Sequence, residues 1–425
     1  MNNKLLSLLE YGFGVGSLLV YAGGVIVLVT SGGQQEYEDI AYDNSLIRIA
    51  YFSIYGITLL LLSLRWRKTL QTLRQDYWIL SLVLLAAISF MWSFEKSNTL
   101  KDIFTITGST LFGLYLASRY TLKQQLELMS WTFGIVIVLS FIFAVAVPKL
   151  GIMGAAHQGK WRGVFSHKNG LGQSMVYSFL AFMFLTYQSK KYKLRMWIGM
   201  GLSVILLLLS ASTSSMFNLF ILVVVFFVMY IVRLPYLLMM PVIALIITAG
   251  EAFYLWSIDN SGAIFNSVGK DATLTGRTDL WQLTTDMIWK QPWIGYGFGG
   301  FWQGLNGAES GYILRAVTWT PSHPHNGYLQ LLLDLGILGL LIFSIGFFRT
   351  MMRALNLIRS TTAVAALWPI VHMAQLLITS TTETQLFASN NIGWILYVAL
   401  TFSLEPRSLT QSRSSSIDKK WATEL

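Results

Sequence analysis

Of the 425 residues in this chain, 54% are hydrophobic and only 12% are charged, about half the charged share of a soluble domain, which excludes an ordinary water-soluble fold. The chain has no cysteine, so disulfides, thiolate metal centres and cysteine nucleophiles are excluded. The formal net charge of +10 would point to nucleic acid in a soluble protein; here it is read as basic loops at a membrane surface, and no nucleic-acid partner is expected.

A run of roughly 20 apolar residues crosses a bilayer as a helix. Twelve such runs are predicted, at 11–30, 46–64, 77–93, 103–118, 128–147, 171–187, 196–210, 215–232, 236–256, 327–348, 362–378 and 391–404. The expected fold is an all-α polytopic membrane protein with about 12 transmembrane helices, forming one transmembrane domain over residues 1–404. A large outer loop separates spans nine and ten. The runs at 103–118 and 391–404 are short enough to be tilted or re-entrant. The first run follows a single lysine, Lys4, and precedes "SGGQQEYED" with no small-x-small cleavage site. It reads as a membrane helix and not as a removed signal peptide. The Ser-rich tail, 405–425, is expected to be disordered and cytoplasmic.

Lysine and arginine orient the helices, because cytoplasmic loops retain positive charge. With both termini cytoplasmic, the inner segments hold 19 of the 30 bases and the outer segments 10, with Arg48 at an outer helix end. Eight of the ten outer bases fall in two loops, 148–170 and 257–326, together with His157, His167, His323 and His325. Bases kept on the side that disfavours them suggest anion binding, although a long loop such as 257–326 can escape the charge rule.

The shorter loop carries "GKWRGVFSHKNGLG", in which Lys160, Arg162, His167 and Lys168 interleave with Trp161 and Phe165. That pattern suits a phosphate attached to something apolar, such as a lipid, against the plainer reading of a solvated charge run. Asn169 and Gly170 read as a turn or helix cap. In the longer loop, Leu280, Leu283, Met287 and Ile288 recur at helical spacing and predict a helix over 278–290. It lies on the membrane surface with Trp281, Trp289 and Trp293 at headgroup level, or packs on the bundle. Arg277 stands beside the helix start, where an anion is favoured; a surface pair with Asp279 is the competing reading. "GYGFGG", 295–300, lacks dinucleotide-fingerprint spacing and reads as a tight turn that lets backbone approach a ligand or another helix.

"HPHNGYLQ" places His323 and His325 directly ahead of an apolar run. A zinc site needs three or four protein ligands, and only Glu309, His157 and His167 could supplement the pair. Pro324 also prevents helical i, i+4 pairing. No metal or cofactor is therefore expected. A general base needs one histidine alone, and Asn326 could cap the following helix and fix where His325 points. An inert interfacial histidine is the alternative.

"RGVFSHKNGLG", "GRTDLW" and "HPHNGYLQLLLDLGILGL" together resemble the O-antigen ligase and polymerase superfamily of bacterial membrane glycosyltransferases. The H-N-x-Y-L-x-x-L-x-x-x-G-x-x-G pattern is the most specific part, and the first 100 residues contribute topology alone. The resemblance implies a GT-C-like fold and metal-independent, inverting transfer from an undecaprenyl-diphosphate-linked glycan at the periplasmic face of the inner membrane. The acceptor would be a glycan or a lipid-linked molecule, among membrane lipids. It makes His325 the match to the family's essential histidine, and Arg162 and Arg277 the matches to its diphosphate-holding arginines. Lys168 and Arg315 are added as further bases, and His323, Asn326, His167 and Asn169 as supporting residues. The chemistry suits the residue types, since a lipid-diphosphate sugar carries its own leaving group and needs only a base and fixed positive charge. Polysaccharide polymerase is the favoured activity, with O-antigen ligase as the alternative. An anion or lipid-linked sugar transporter is the rival from another class, disfavoured because few ionisable residues lie within the spans.

Overall fold

The computed structural model describes residues 3–24, 45–154, 157–187, 192–231, 233, 277–317 and 319–404. Among these residues the secondary structure is helical, and extended pairing is limited to a single antiparallel bridge between Ile152 and Trp161. In chain order the helices of eight or more residues are α1 (Asn3–Tyr21), α2 (Ser45–Leu64), α3 (Trp66–Leu73), α4 (Trp78–Ile88), α5 (Lys96–Arg119), α6 (Leu122–Ala146) and α7 (Lys168–Thr186). They continue with α8 (Lys193–Ser210), α9 (Thr213–Ile231), α10 (Arg277–Lys290), α11 (Ala308–Ala316), α12 (Gly327–Ser360), α13 (Trp368–Ser380) and α14 (Ile392–Ser403).

Five of the described helices, α2, α6, α8, α9 and α12, are long and apolar enough to cross a membrane; α3 and α4, bent by 93°, make a sixth if counted as one span. This is fewer than the twelve runs predicted. The run at 236–256, the tail at 405–425, the first outer loop and residues 257–276 of the longest outer loop lie outside the described residues. The remaining difference has a physical cause. Helices α7, α13 and α14 are buried along almost their whole length, and α5 is packed against α14 by Gly113, where a Cβ would meet Val398 and the carbonyl of Ile395. A helix enclosed by protein meets no lipid, so the bilayer sets neither its length nor its apolarity. By contrast, α2, α8 and α9 expose Leu59, Leu60, Leu208, Phe217, Phe220 and Phe227, the face expected towards acyl chains.

Several bases assigned to the inner side tie helix ends together. Glu10 on α1 is bound by Arg65 and by Arg119, the latter at 2.6 Å. Arg353 on α12 pairs with the buried Asp76 and donates to the carbonyls of Leu404 at 3.1 Å and Thr401 at 3.3 Å.

The segment after residue 277 has its own small core of Leu280, Met287, Ile288, Tyr296, Phe301, Ile313 and Leu333, with Leu283 packed against it. The predicted helix over 278–290 is therefore present as α10, and its apolar face is covered by α11 and α12. Trp289 and Trp293 remain exposed.

Helix α12 is broken once. Within α12, Gly336 adopts φ 63°, ψ −164°, and interrupts the helix. Residues 292–297 fill the gap. The amides of Tyr296 and Gly297 donate to the carbonyls of Leu333 (2.7 Å) and Asp334 (3.1 Å), and those of Ile337 and Leu338 donate to Pro292 (2.8 Å) and Trp293 (3.1 Å). A Cβ on Gly336 would strike the backbone of Trp293, and one on Gly295 would strike that of Leu333. The "GYGFGG" turn thus serves close approach to another helix. The buried Asp334 completes the joint, accepting from Gly299 N and Gln330 Nε2 at 3.0 Å each.

Candidate active site

The first turn of α12 is closed by Asn326, whose Oδ1 accepts from the amides of Tyr328 (3.0 Å) and Leu329 (3.2 Å). Two otherwise orphaned helix amides are satisfied in this way. His325 stands immediately before the cap, buried, with φ 49°. That is a left-handed backbone which a non-glycine residue adopts only when its surroundings hold it there. The holding contacts are identifiable. Trp281 on α10 donates Nε1–H to the carbonyl of Pro324 at 2.8 Å, and His323 Nδ1 accepts the backbone amide of His325 at 3.2 Å. The same Nδ1 lies 3.2 Å from Thr384 Oγ1, so the hydroxyl donates and His323 carries any neutral-state proton on Nε2. The two imidazoles are 4.1 Å apart, and Trp319 sits 5.4 Å from His325 on another side.

Arg277, the first residue of α10, reaches the same place. Its Nη1 donates to the carbonyl of Thr382 at 2.6 Å, while Nη2 lies 3.4 Å from Glu383 Oε1 and 3.5 Å from His325 Nδ1. Glu383 Oε2 is 3.5 Å from His325 Nδ1. A base, a carboxylate and a guanidinium from three separate segments therefore meet, and the pairing of Arg277 with Asp279 is not the arrangement formed. His325, Glu383 and His323 line an open cavity of about 150 Å³, with Asn169 and Gln173 of α7 and Ser215 and Asn218 of α9 on the facing wall. No apolar side chain lines it. In a bundle of apolar helices a polar hollow carries a cost, which makes it the candidate site. Among the described residues no three histidine or carboxylate side chains gather in a way that could hold a metal ion.

The other sequence-derived candidates are placed unequally. Arg162 is 1% exposed, and its guanidinium donates to the carbonyls of Leu150 (2.8 Å), Lys149 (3.1 Å) and Ser166 (3.3 Å). It knots the loop ahead of α7 and is not among the cavity-lining residues. His167 is the N-cap of α7, its Nδ1 accepting from Asn169 N at 3.3 Å. This corrects the assignment of the cap to Asn169 and Gly170, which instead lie within the first turn and line the cavity. Lys168 Nζ is 3.2 Å from Asn169 Oδ1 and 3.4 Å from the carbonyl of Ala211, a cation bordering the cavity. Arg315 is exposed on the last turn of α11 and does not line the cavity. Glu383 was missed by sequence reasoning. Its signal was that it is the one acidic residue between Asp334 and Glu405.

The apolar, membrane-length helices are those of a multi-pass membrane protein, and among them His325 and Glu383, with Arg277 against both, stand at a polar cavity. Residues 198–344, which contain Arg277 and His325, match the family model described as O-Antigen ligase. The chain is also 25% identical over 323 residues to exopolysaccharide production protein ExoQ of Rhizobium meliloti (strain 1021), covering 72% of this chain and 71% of that protein. Together with the motifs, these matches support placement in the O-antigen ligase and polymerase superfamily, with a polysaccharide-related ligase or polymerase role.

Proposed function

We propose that the protein is a polysaccharide polymerase of the bacterial inner membrane, both termini cytoplasmic, which transfers a glycan from an undecaprenyl-diphosphate carrier to a sugar hydroxyl at the periplasmic face. The observation that carries this reading is a polar cavity lined by His325 and Glu383, with Arg277 held against both from behind the lining. In the proposed step the acceptor oxygen bonds to the anomeric carbon from the side opposite the diphosphate. The bond from that carbon to the diphosphate oxygen breaks, its electron pair leaves with the carrier diphosphate, and the hydroxyl proton passes to His325. The Glu383 carboxylate beside Nδ1 steadies the imidazolium as it forms.

Arg277 supplies fixed positive charge for the departing diphosphate, in a fork geometry suited to phosphate. Lys168 adds a second cation at the cavity border. Arg162, with its nitrogens committed to carbonyls, contributes by holding the loop from which Asn169 and Gly170 reach the cavity. The name of the relative, an exopolysaccharide production protein, favours polymerisation. Attachment to a lipid acceptor is the second reading, favoured by the description of the matching family.

The test is reconstitution of the purified chain in liposomes with a lipid-linked glycan donor and a soluble acceptor. The expected result is a lengthened glycan of inverted anomeric configuration with release of undecaprenyl diphosphate. Movement of the lipid-linked sugar across the bilayer without any glycosyl product would contradict the proposal and support transport.

A further inference from the structure

A second cavity, of about 160 Å³, lies in the segment after residue 277 and is lined by Phe94, Tyr296, Phe301, Gln303, Glu309 and Ser310 among others. None of these residues belongs to the His325 cluster. Phe94 is 51% exposed, yet its position is fixed. Its amide donates to the carbonyl of Tyr296 at 3.1 Å, and its ring meets the Tyr296 ring edge-on at 4.9 Å. Tyr296 in turn packs on Phe301 at 4.9 Å and donates its hydroxyl to the carbonyl of Met287 at 2.7 Å. Burial, and after it the Glu309 charge, pushes the Tyr296 phenol up to about 12, so that hydroxyl remains a neutral donor.

The polar side of the cavity is also ordered. Ser310 Oγ accepts from Gln303 N at 3.2 Å and donates to the carbonyl of Gly304 at 2.9 Å. Glu309 is bound through Oε2 by Lys290 Nζ at 2.8 Å. An exposed aromatic ring beside a carboxylate and an amide matches the two faces of a sugar, with C–H groups for the ring and hydroxyls for the acceptors. The Glu309–Lys290 pair leaves no net charge beside the cavity, which suits an uncharged ligand.

Lys290 and Arg277 are the two ends of α10. At 1.5 Å per residue they are roughly 20 Å apart, so the second cavity is a short oligosaccharide's length from His325. We propose that this cavity is a distal glycan subsite, which holds a neutral sugar unit remote from the reacting end; the inference rests on the glycan-transfer reading above. It would make productive binding depend on glycan length, as a polymerase requires and attachment of a single unit does not.

The experiment titrates the purified full chain calorimetrically with size-separated hydrolysis fragments of the exopolysaccharide made by the organism that carries it. Fragments long enough to span both sites bind the wild type, and Phe94→Ala and Glu309→Gln each weaken that binding roughly tenfold, the scale of one lost aromatic or polar anchor. Thermal midpoints show that both subsite variants remain folded. Glu309→Gln perturbs only a half-exposed ion pair and stays informative if Phe94→Ala loses stability. Absence of binding to the wild type, or wild-type binding by both variants, overturns the subsite. Normal turnover by His325→Ala with fragment binding intact would instead overturn the catalytic assignment alone.

Discussion

Replacing Glu383 with glutamine removes one charge from the His325 cluster at nearly constant volume. The Glu383 carboxylate is 3.5 Å from His325 Nδ1. With an effective dielectric of about 20, opposite unit charges at that distance attract by about 5 kcal/mol. Glu383 is 25% exposed on its side chain and shares its charge with Arg277, so about 1.5–3 kcal/mol is the expected loss on forming the imidazolium. That corresponds to a fall of about 10- to 100-fold in kcat/KM. The sign of the pH effect follows from the same contacts. Without Glu383, Arg277 Nη2 still lies 3.5 Å from His325 Nδ1, so the protonated ring is harder to form. The base form persists to lower pH, and the acidic limb of the activity profile moves down. Initial rates of transfer from a labelled lipid-linked donor, taken between about pH 5 and 8 where histidine titrates, read both effects. An unchanged rate, or an acidic limb displaced upward, would refute the role given to Glu383.

Two arginine substitutions should separate by readout. Arg162→Ala leaves the carbonyls of Lys149, Leu150 and Ser166 without this donor; since these are partly exposed, a loss of about 1–3 kcal/mol in all is expected, with a lower thermal midpoint in detergent. Arg277→Ala should lower kcat by about 10²–10³, the scale of one lost electrostatic donor, with a much smaller change in midpoint; equal midpoints for the two variants would contradict this division of roles. Gly336→Ala imposes a side chain at φ 63°, ψ −164°, a conformation essentially confined to glycine, at about 1–3 kcal/mol, and drives a Cβ into the backbone of Trp293. A marked fall in thermal stability is expected, and wild-type stability would show that the joint between α12 and residues 292–297 is not as described.

What could be read from the sequence was local. Asn326 ahead of "GYLQ" signalled a cap, Arg277 ahead of an amphipathic stretch signalled a helix start, and both are found where the pattern put them. Glu383 escaped because its partners are about 60 and 106 residues away, and no local pattern links a short polar turn to a distant helix start. Arg162 looked like its basic neighbours, since a charge cluster does not reveal which member is buried. His167 took the capping place assigned to Asn169 because imidazole Nδ1 can accept a helix amide as an amide oxygen does. The break at Gly336 lies inside a run whose composition reads as one continuous helix. Only the four backbone bonds supplied by residues 292–297 show why an interrupted helix is tolerated there.

The central claim is that His325 removes the acceptor proton in a transfer driven by the donor's own diphosphate. The most direct measurement compares single-turnover transfer by the wild type and His325→Ala in liposomes loaded with lipid-linked donor, with donor binding measured in parallel. Transfer should fall by about 10²–10⁴, the contribution of one general base, while donor binding and the thermal midpoint are retained. Near wild-type turnover by His325→Ala would contradict the account.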